Sequence, residues 1–210
     1  MLNILPAISV ISKWYPERVP ECISSAPMPA AFMTPVTVAI LSGIVGLFLV
    51  QTSQAADDRL RLAGYTATDL VVSRVGTLGL GIVVVTMASV VVAVFAFTPE
   101  STVPFVAATL LVGLTYGILG VVVGIVLGRL GGVYVMLFSP MVDVLLFQNP
   151  LATDAPEWTK LLPSHYATNA LFDAAFTSSI DVWDFGGAVA YTVALLVIGV
   201  LVFYQATDVE

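Results

Sequence analysis

The few residues of this chain that could do chemistry lie near one another in its second half. Asp143 is the only acidic residue inside the apolar run 131–147, and His165 is the only histidine in the chain. An intramembrane carboxylate is by default a candidate proton, cation or substrate site. Alternatively, the helix ends after Pro140 and Asp143 caps it or faces outer water. We favour the second interpretation, because Asp143 lies near the end of an interrupted run.

Catalytic chemistry finds little support in the residues. Ser164 precedes His165, but side chains at adjacent positions do not converge as a nucleophile and its base must. The sequence contains no GxSxG, HExxH or P-loop motif. Cys22 is the only cysteine, so neither an internal disulfide nor a Cys-based metal cluster can form. We predict no catalytic residue, no metal site and no bound cofactor, and therefore a chain that is not an enzyme by itself.

The composition indicates a protein in a lipid bilayer. Of 210 residues, 59% are hydrophobic and only 10% are charged, and the mean hydropathy is +1.01. A soluble domain has about 25% charged residues, and one globular core cannot hide this apolar excess. The net charge of −7 and the scarcity of lysine argue against a nucleic-acid partner.

Long apolar runs predict the fold class, an all-α polytopic membrane protein. Backbone groups in lipid must be satisfied within the segment, so these runs indicate helices despite their many valines. Because Pro140 lacks a backbone N–H, we expect a kinked or broken fourth span. The predicted spans are 31–50, 75–97, 104–127, 131–147 and 185–204.

The distribution of basic residues predicts the orientation. Arg59, Arg61, Arg74 and Arg129 fall on one side of the predicted spans, close to span ends, and Lys13, Arg18 and Lys160 fall on the other. Positive charge near span ends marks the cytoplasmic side. Residues 1–30 are then a Pro-rich extracellular-side segment, 31–204 form the transmembrane domain, and 205–210 form a cytoplasmic tail. A missing preceding span would explain a chain that begins outside; an N-terminus that stays outside is the alternative.

A row of glycines marks one face of the third span. The five residues recur at intervals of three or four, which places them on one side of a helix. Glycines there let another helix backbone approach closely. We expect a static packing face, or a face that slides during transport. The residues are Gly113, Gly117, Gly120, Gly124 and Gly128.

Two connections between spans carry further signals. In the stretch 51–76, Asp57 and Asp58 are suited to begin a short charged helix that Gly64 ends. A connecting loop needs only two to eight residues, so this segment suggests a docking element. In the segment 148–184, we expect a short helix from about Tyr166 to Phe176 lying along the outer surface.

The order of these features resembles the membrane subunit of ABC-2 type transporters, and more narrowly the drug-export permeases of the fluoroquinolone type. The stretch "DDRLRLAGYTATDLVVSRVGTL" is similar to the family's coupling segment and the start of its next span. The stretch "GVVVGIVLGRLGG" resembles its fourth span and inner turn. "SPMVDVLLFQNPL", followed by "EWTKLLPSHYATNALFDAAF", resembles its broken fifth span and outer helix. The likeness covers residues 31–204, but no single motif is specific.

The resemblance implies a permease in the cell membrane, working as a homodimer or heterodimer with a separate ABC ATPase that uses ATP. It implies export, and the cytoplasmic C-terminus follows from the placement of the basic residues. It places ATPase coupling on the segment Asp57, Asp58, Arg59, Leu60, Arg61 and Leu62. The family has six spans, so the first would be missing here. The family's Glu-Arg-Glu pattern is also absent, which leaves open whether the two aspartates replace the glutamates.

Two other functions remain open from the residues. A membrane-embedded enzyme, such as an intramembrane protease, would need paired acids or a Ser/His pair within the spans, and Asp143 has no partner acid in another run. A non-catalytic scaffold would share the glycine face but need no docking helix.

Overall fold

Long helices make up most of the chain. The computed structural model describes residues 27–62, 67–148, 159, 161–177 and 181–208. No strand occurs within these ranges, so the predicted all-α membrane fold is confirmed for the part of the chain described. The helices are α1 (Pro27–Leu62), α2 (Ala67–Ala96), α3 (Thr102–Val142, continued by a π-helical turn, Asp143–Phe147), α4 (His165–Phe176) and α5 (Val182–Asp208).

Four of these helices are long and apolar enough to cross a membrane. The 46-residue stretch in α3 exceeds the others by a factor of about two. At 1.5 Å per residue, a straight helix of this length would be about 69 Å long, more than twice the hydrocarbon thickness. The four apolar stretches are Ala31–Thr52, Val72–Ala96, Thr102–Phe147 and Val182–Val202.

Helix α3 does not extend over this distance, because the chain folds back on itself at Gly128. Gly128 has φ 67° and ψ −169°, the only non-helical backbone angles within α3. Positive φ is strained for residues with a Cβ, which explains a glycine here. We call 102–127 the first arm of α3 and 129–147 its second arm. Gly43 of α1 adjoins both arms, since a Cβ there would lie 2.7 Å from Met136 Sδ and 3.5 Å from the Tyr116 carbonyl oxygen.

The irregularity expected at Pro140 lies elsewhere. The backbone stays helical through Pro140, and the Asp143 N–H is shared between the carbonyls of Pro140 and Ser139. The helix then widens into the π-helical turn, where the Gln148 N–H donates to the Asp143 carbonyl at 2.9 Å. The prediction of a break at Pro140 was therefore wrong in position: the chain reverses at Gly128 and widens only after Val142.

The charged segment after the first span is not a separate helix. Helix α1 runs without interruption for 36 residues, about 54 Å, and ends at Leu62. Asp57 and Asp58 therefore lie inside α1 and do not cap a new helix. The physical reason is that the stretch 51–56 has neither glycine nor proline to stop the helix. The predicted stop at Gly64 falls outside the described residues.

Helix α4 has nearly the predicted bounds, but it packs inside the bundle and does not lie along its surface. The Ser101 and Glu100 N–H groups donate to the Ala174 and Ala175 carbonyls at 3.1 and 3.2 Å. At the other end of α4, Ala167 packs with Val112 of the first arm. Numbers rise along α4 as they fall along the first arm, so the two helices are antiparallel. The apolar residues of α4, such as Leu171 and Phe172, explain the difference, because they pack in one cluster with buried residues of the neighbouring elements: Ala31, Val90, Phe97, Phe105 and Ala108.

Backbone contact between α1 and the first arm forms the tightest packing of the fold. A Cβ added to Gly120 would lie 2.0 Å from the Gly43 carbonyl oxygen, and one added to Gly46 would lie 2.0 Å from the Gly117 carbonyl oxygen. Four of the five glycines of the predicted face are buried: Gly113, Gly117, Gly120 and Gly124. The fifth, Gly128, has nothing within 4 Å of an added Cβ and forms the turn instead.

We predict that Gly120→Ala disrupts the protein because the new Cβ would meet backbone and not a movable side chain. The expected loss is about 3 kcal/mol, the upper end for overpacking. The measurement is thermal unfolding of the purified protein in detergent. Gly79→Ala is the matched control, because an added Cβ there meets nothing within 4 Å. Equal melting temperatures for the two variants would contradict the proposed close contact.

Candidate functional site

A buried carboxylate joins three elements at the centre of the molecule. Asp143 is only 3% exposed. The Tyr116 hydroxyl of the first arm donates to Asp143 Oδ2 at 2.5 Å, and the Ser164 backbone N–H donates to the same oxygen at 3.2 Å. Hydrogen bonds to an ionised acceptor are roughly twice as strong as neutral ones. Asp143 therefore connects the π-helical turn to α3 and to the start of α4.

The helical rise gives the depth of this carboxylate. Tyr116 lies roughly 21 Å along the helix axis from Thr102 and roughly 18 Å from Gly128. The Tyr116 side chain is fully buried among Ala39, Val112, Ala167 and Ala188. Asp143 and the start of α4 therefore lie about halfway between the two ends of the bundle. We call these the Ser101 end and the Gly128 end.

An amide extends the network from Asp143 to the histidine. Gln148 Nε2 lies 3.4 Å from Asp143 Oδ1 and 3.4 Å from the Thr159 carbonyl oxygen. Gln148 Oε1 lies 2.8 Å from His165 Nδ1. His165 Nε2 in turn lies 3.5 Å from Asn169 Nδ2. One continuous polar chain thus links a buried carboxylate to half-buried side chains of α4.

The local backbone explains why the carboxylate is tolerated. Residues 162–164 form a bend and a turn just before α4, and irregular backbone within a membrane occurs only where protein or a water-filled cavity surrounds it. The N-terminal end of α4 carries a partial positive charge and exposed N–H groups. The Asp143 carboxyl group accepts the Ser164 N–H at that end, so the start of the helix and the side chain satisfy each other's hydrogen bonds.

The sequence interpretation of Asp143 requires a correction. Asp143 does not face outer water: it follows Val142, the last α-helical residue, it is buried, and its side chain accepts from the backbone N–H before α4. His165 is the first residue of α4 and belongs to the network. Tyr116 and Gln148 were missed. One feature of the sequence could have indicated Tyr116: its phenol lies near the middle of an apolar run and adjoins the glycine face.

The predicted coupling residues 57–62 form the last turns of α1. Their side chains lie outside the part of the structure that can be described, so their role stays a prediction. Residues of α1 nearer the membrane contact the hairpin directly. Gln51 Nε2 donates to the Gly124 carbonyl at 2.6 Å, and the Arg129 guanidinium lies 5.2 Å from the centre of the Phe48 ring.

The contacts limit the chemistry of the site. In the described ranges, Asp143 contacts a phenol, an amide and a backbone N–H, and no group of three or more His, Cys, Asp or Glu side chains is placed to hold a metal ion. Such an arrangement can hold a negative charge, exchange a proton or bind a polar group. Comparisons with protein-family models, curated proteins and solved structures give no match to this chain.

A second acidic group lies at the Ser101 end of α4. Burial, followed by the charges of Asp184 and Asp181, raises the pKa of Asp173 from 3.8 to about 6. The Asp181 carboxylate also accepts the backbone N–H of Trp183 at 2.8 Å, at the start of α5. Asp173 therefore changes its charge close to neutral pH.

We predict that Tyr116→Phe destabilises the protein by about 2 kcal/mol, because it removes a donor from a buried carboxylate. The same substitution should cost about half as much in an Asp143→Asn background, so a double-mutant cycle of unfolding free energies measures the coupling. The control is Tyr134→Phe, since Tyr134 is 63% exposed. Additive effects of Tyr116→Phe and Asp143→Asn would show that the two side chains do not interact.

We predict that stability falls as pH rises from about 4 to 6, and that Asp173→Asn reduces this fall. The folded protein holds the Asp173 proton up to about pH 6, whereas the unfolded chain releases it near 3.8. The stabilising contribution is therefore complete below 3.8 and lost by about 6. The side chain is only half-buried, so solvent screening limits the difference to about 1 kcal/mol. Thermal unfolding between pH 4 and pH 7 measures it; identical pH profiles would refute the assignment.

Proposed function

We propose that this chain is the membrane permease subunit of an ATP-driven transporter, in which a separate ATPase moves the charged end of α1. One observation carries the proposal: the charged segment 57–62 and the first apolar stretch are a single helix. About ten residues, roughly 15 Å of helix, continue beyond Thr52. A force applied to these turns acts directly on the helix within the membrane.

The packing of α1 supports this use as a lever. Close glycine contact with the first arm, at Gly43 and Gly46, prevents the two helices from separating without loss of packing. The Arg74 guanidinium of α2 donates to the Leu49 carbonyl of α1 at 3.4 Å. Helix α1 therefore contacts both α2 and α3. Through the first arm, a tilt of α1 would reach Tyr116 and its bond to Asp143.

The charge distribution supports a cytoplasmic Gly128 end. Arg74 and Arg129 lie at this end, and α1 continues there toward Arg59 and Arg61. Helix α5 also ends at this side, because Gly199 adjoins Ile118 and Val122 in the second half of the first arm. Acidic residues Asp173, Asp181 and Asp184 lie at the Ser101 end. By the positive-inside rule, the C-terminus would be cytoplasmic. The cell membrane as the location comes from the resemblance to ABC-2 type permeases.

The resemblance to ABC-2 type permeases supplies the rest of the proposal: pairing with a second permease, binding of an ABC ATPase that hydrolyses ATP, and export. A membrane-embedded protease would use Asp143 with a second carboxylate, and in the part of the chain that the structure describes Asp143 contacts other groups instead. A scaffold would leave the projecting charged turns of α1 without a function. Binding of an ATPase decides among these alternatives.

We predict that Arg59→Glu together with Arg61→Glu prevents co-purification of a co-expressed ABC ATPase partner, because the two reversed charges would repel the surface that Arg59 and Arg61 are proposed to contact. The control is Arg59→Lys with Arg61→Lys, which keeps both charges and should retain binding. The measurement is the amount of ATPase recovered with the tagged permease from detergent-solubilised membranes. Full recovery with the glutamate variants would reject the coupling role of this segment.

A proline placed between the membrane-spanning part of α1 and the charged segment 57–62 tests the lever role of α1 separately from ATPase binding. Ala56→Pro breaks helix α1, at a cost of about 3 kcal/mol locally, without changing a charge. We expect the ATPase to remain bound and its activity to become independent of the permease. ATPase turnover in proteoliposomes measures this, and turnover equal to that of the original protein would show that an unbroken α1 is not required.

A further inference from the structure

Helix α4 carries a polar stripe that the proposed ATPase coupling does not use. His165, Asn169 and Asp173 recur every four residues, so they lie along one face. All three are half-buried. The remainder of α4 is packed against the bundle through seven buried residues: Ala167, Thr168, Ala170, Leu171, Phe172, Ala174 and Ala175. The stripe is thus the polar part of the least covered face of this helix.

The stripe extends from one end of the bundle to its centre. At its outer limit, Ala174 accepts the backbone N–H of Ser101. At its inner limit, His165 follows Ser164, whose N–H donates to Asp143. The twelve residues of α4 correspond to about 18 Å, roughly half the length of the first arm. Amide, imidazole and carboxyl groups at such depths are expensive when they face lipid, and they normally face protein or water-filled cavities.

We propose that the His165, Asn169 and Asp173 face of α4 lines a water-filled half-channel that opens at the Ser101 end and delivers protons to Asp143. The ligand is a proton taken from water; the Asp143 carboxylate accepts it to become a carboxylic acid and returns it by the same route. Gln148 provides the link at the inner end, since it contacts both His165 Nδ1 and Asp143 Oδ1.

One buried hydroxyl supports the presence of water beside the stripe. Thr168 is 0% exposed, and its Oγ1 has no hydrogen-bond partner among the residues that the structure describes. Leaving a buried polar group unsatisfied costs about 1–3 kcal/mol, and ordered water commonly satisfies such groups. Thr168 lies one helical turn after Ser164, whose backbone N–H donates to Asp143. Thr168 therefore marks a position where water can lie close to the inner end of the stripe.

The titratable groups at the two ends of the stripe fit proton transfer from the Ser101 end to Asp143. Asp143 is surrounded by Tyr116 of the first arm, by Tyr191 of α5 and, through Gln148, by His165 of α4. Tyr191 donates its hydroxyl to the Leu161 carbonyl at 3.1 Å. Asp173 faces the carboxylates of Asp181 and Asp184. Partial burial, followed by those charges, raises the pKa of Asp173 to about 6, where a carboxyl group exchanges protons readily near neutral pH.

Cysteine accessibility tests the water-filled half-channel without altering Asp143. In a Cys22→Ser background, Asn169→Cys is compared with Ala170→Cys, which lies on the buried face, and with Val193→Cys on α5, where the native valine is 54% exposed. A charged, membrane-impermeant methanethiosulfonate is added from the Ser101 side. Only a thiolate in water reacts, so Asn169→Cys should react at least about tenfold faster than both controls. A rate equal to that of Val193→Cys would overturn the half-channel.

Infrared difference spectroscopy tests proton binding at Asp143. A pH step applied to proteoliposomes on the Ser101 side should change a carboxylic-acid band that is absent from Asp143→Asn. Asp173→Asn should slow this change and leave the band in place, since Asp173 lies on the route and not at the binding site. A band that is unchanged by pH in the original protein would overturn proton binding. Neither measurement involves the ATPase, so these results are independent of the coupling proposal.

Discussion

Contact between glycine backbones holds α1 and α3 together, and the rest of the bundle is arranged around this contact. In lipid there is no hydrophobic drive to bring two apolar helices together, so close van der Waals packing must supply the attraction. Gly46 and Gly120 allow it because any side chain would occupy the position of a neighbouring backbone atom. Helix α2 covers the same face with Ile82, which adjoins Gly113 and Gly117. The remaining face of the first arm is left for α4 and α5.

The hairpin at Gly128 brings together the residues of the polar site. Because α3 reverses there, Asp143 is returned to the level of Tyr116, 27 positions earlier in the sequence. The widened turn after Val142 and the irregular residues before α4 leave backbone groups that must be satisfied at this depth. The carboxylate, the phenol and the N-terminal end of α4 satisfy one another. The same groups that make the interior irregular therefore also stabilise it, and they form the site to which the proposed half-channel leads.

The sequence predicted the helices better than it predicted the polar site around Asp143. The apolar runs and the glycine spacing predicted helical passes and one packed face, since both depend on local composition and periodicity. The helix near Tyr166–Phe176 was also predicted from its residues. Its position was not, because aromatic residues such as Phe172 and Phe176 suit an interface and a buried helix equally well. Gly128 shared the spacing of the packing glycines but has a different role, which only its backbone angles show.

The sequence by itself determined that this is an all-α membrane protein, because 59% hydrophobic residues arranged in long runs leave no other way to satisfy the backbone. It also determined where charge lies along the chain. Only the tertiary structure decided that Asp143 is buried against Tyr116 and the start of α4, and that α1 continues into the charged segment without a break. No local pattern in the sequence encodes either result. The position of Asp143 depends on a hairpin that aligns distant residues, and the packing of the bundle fixes where each helix lies.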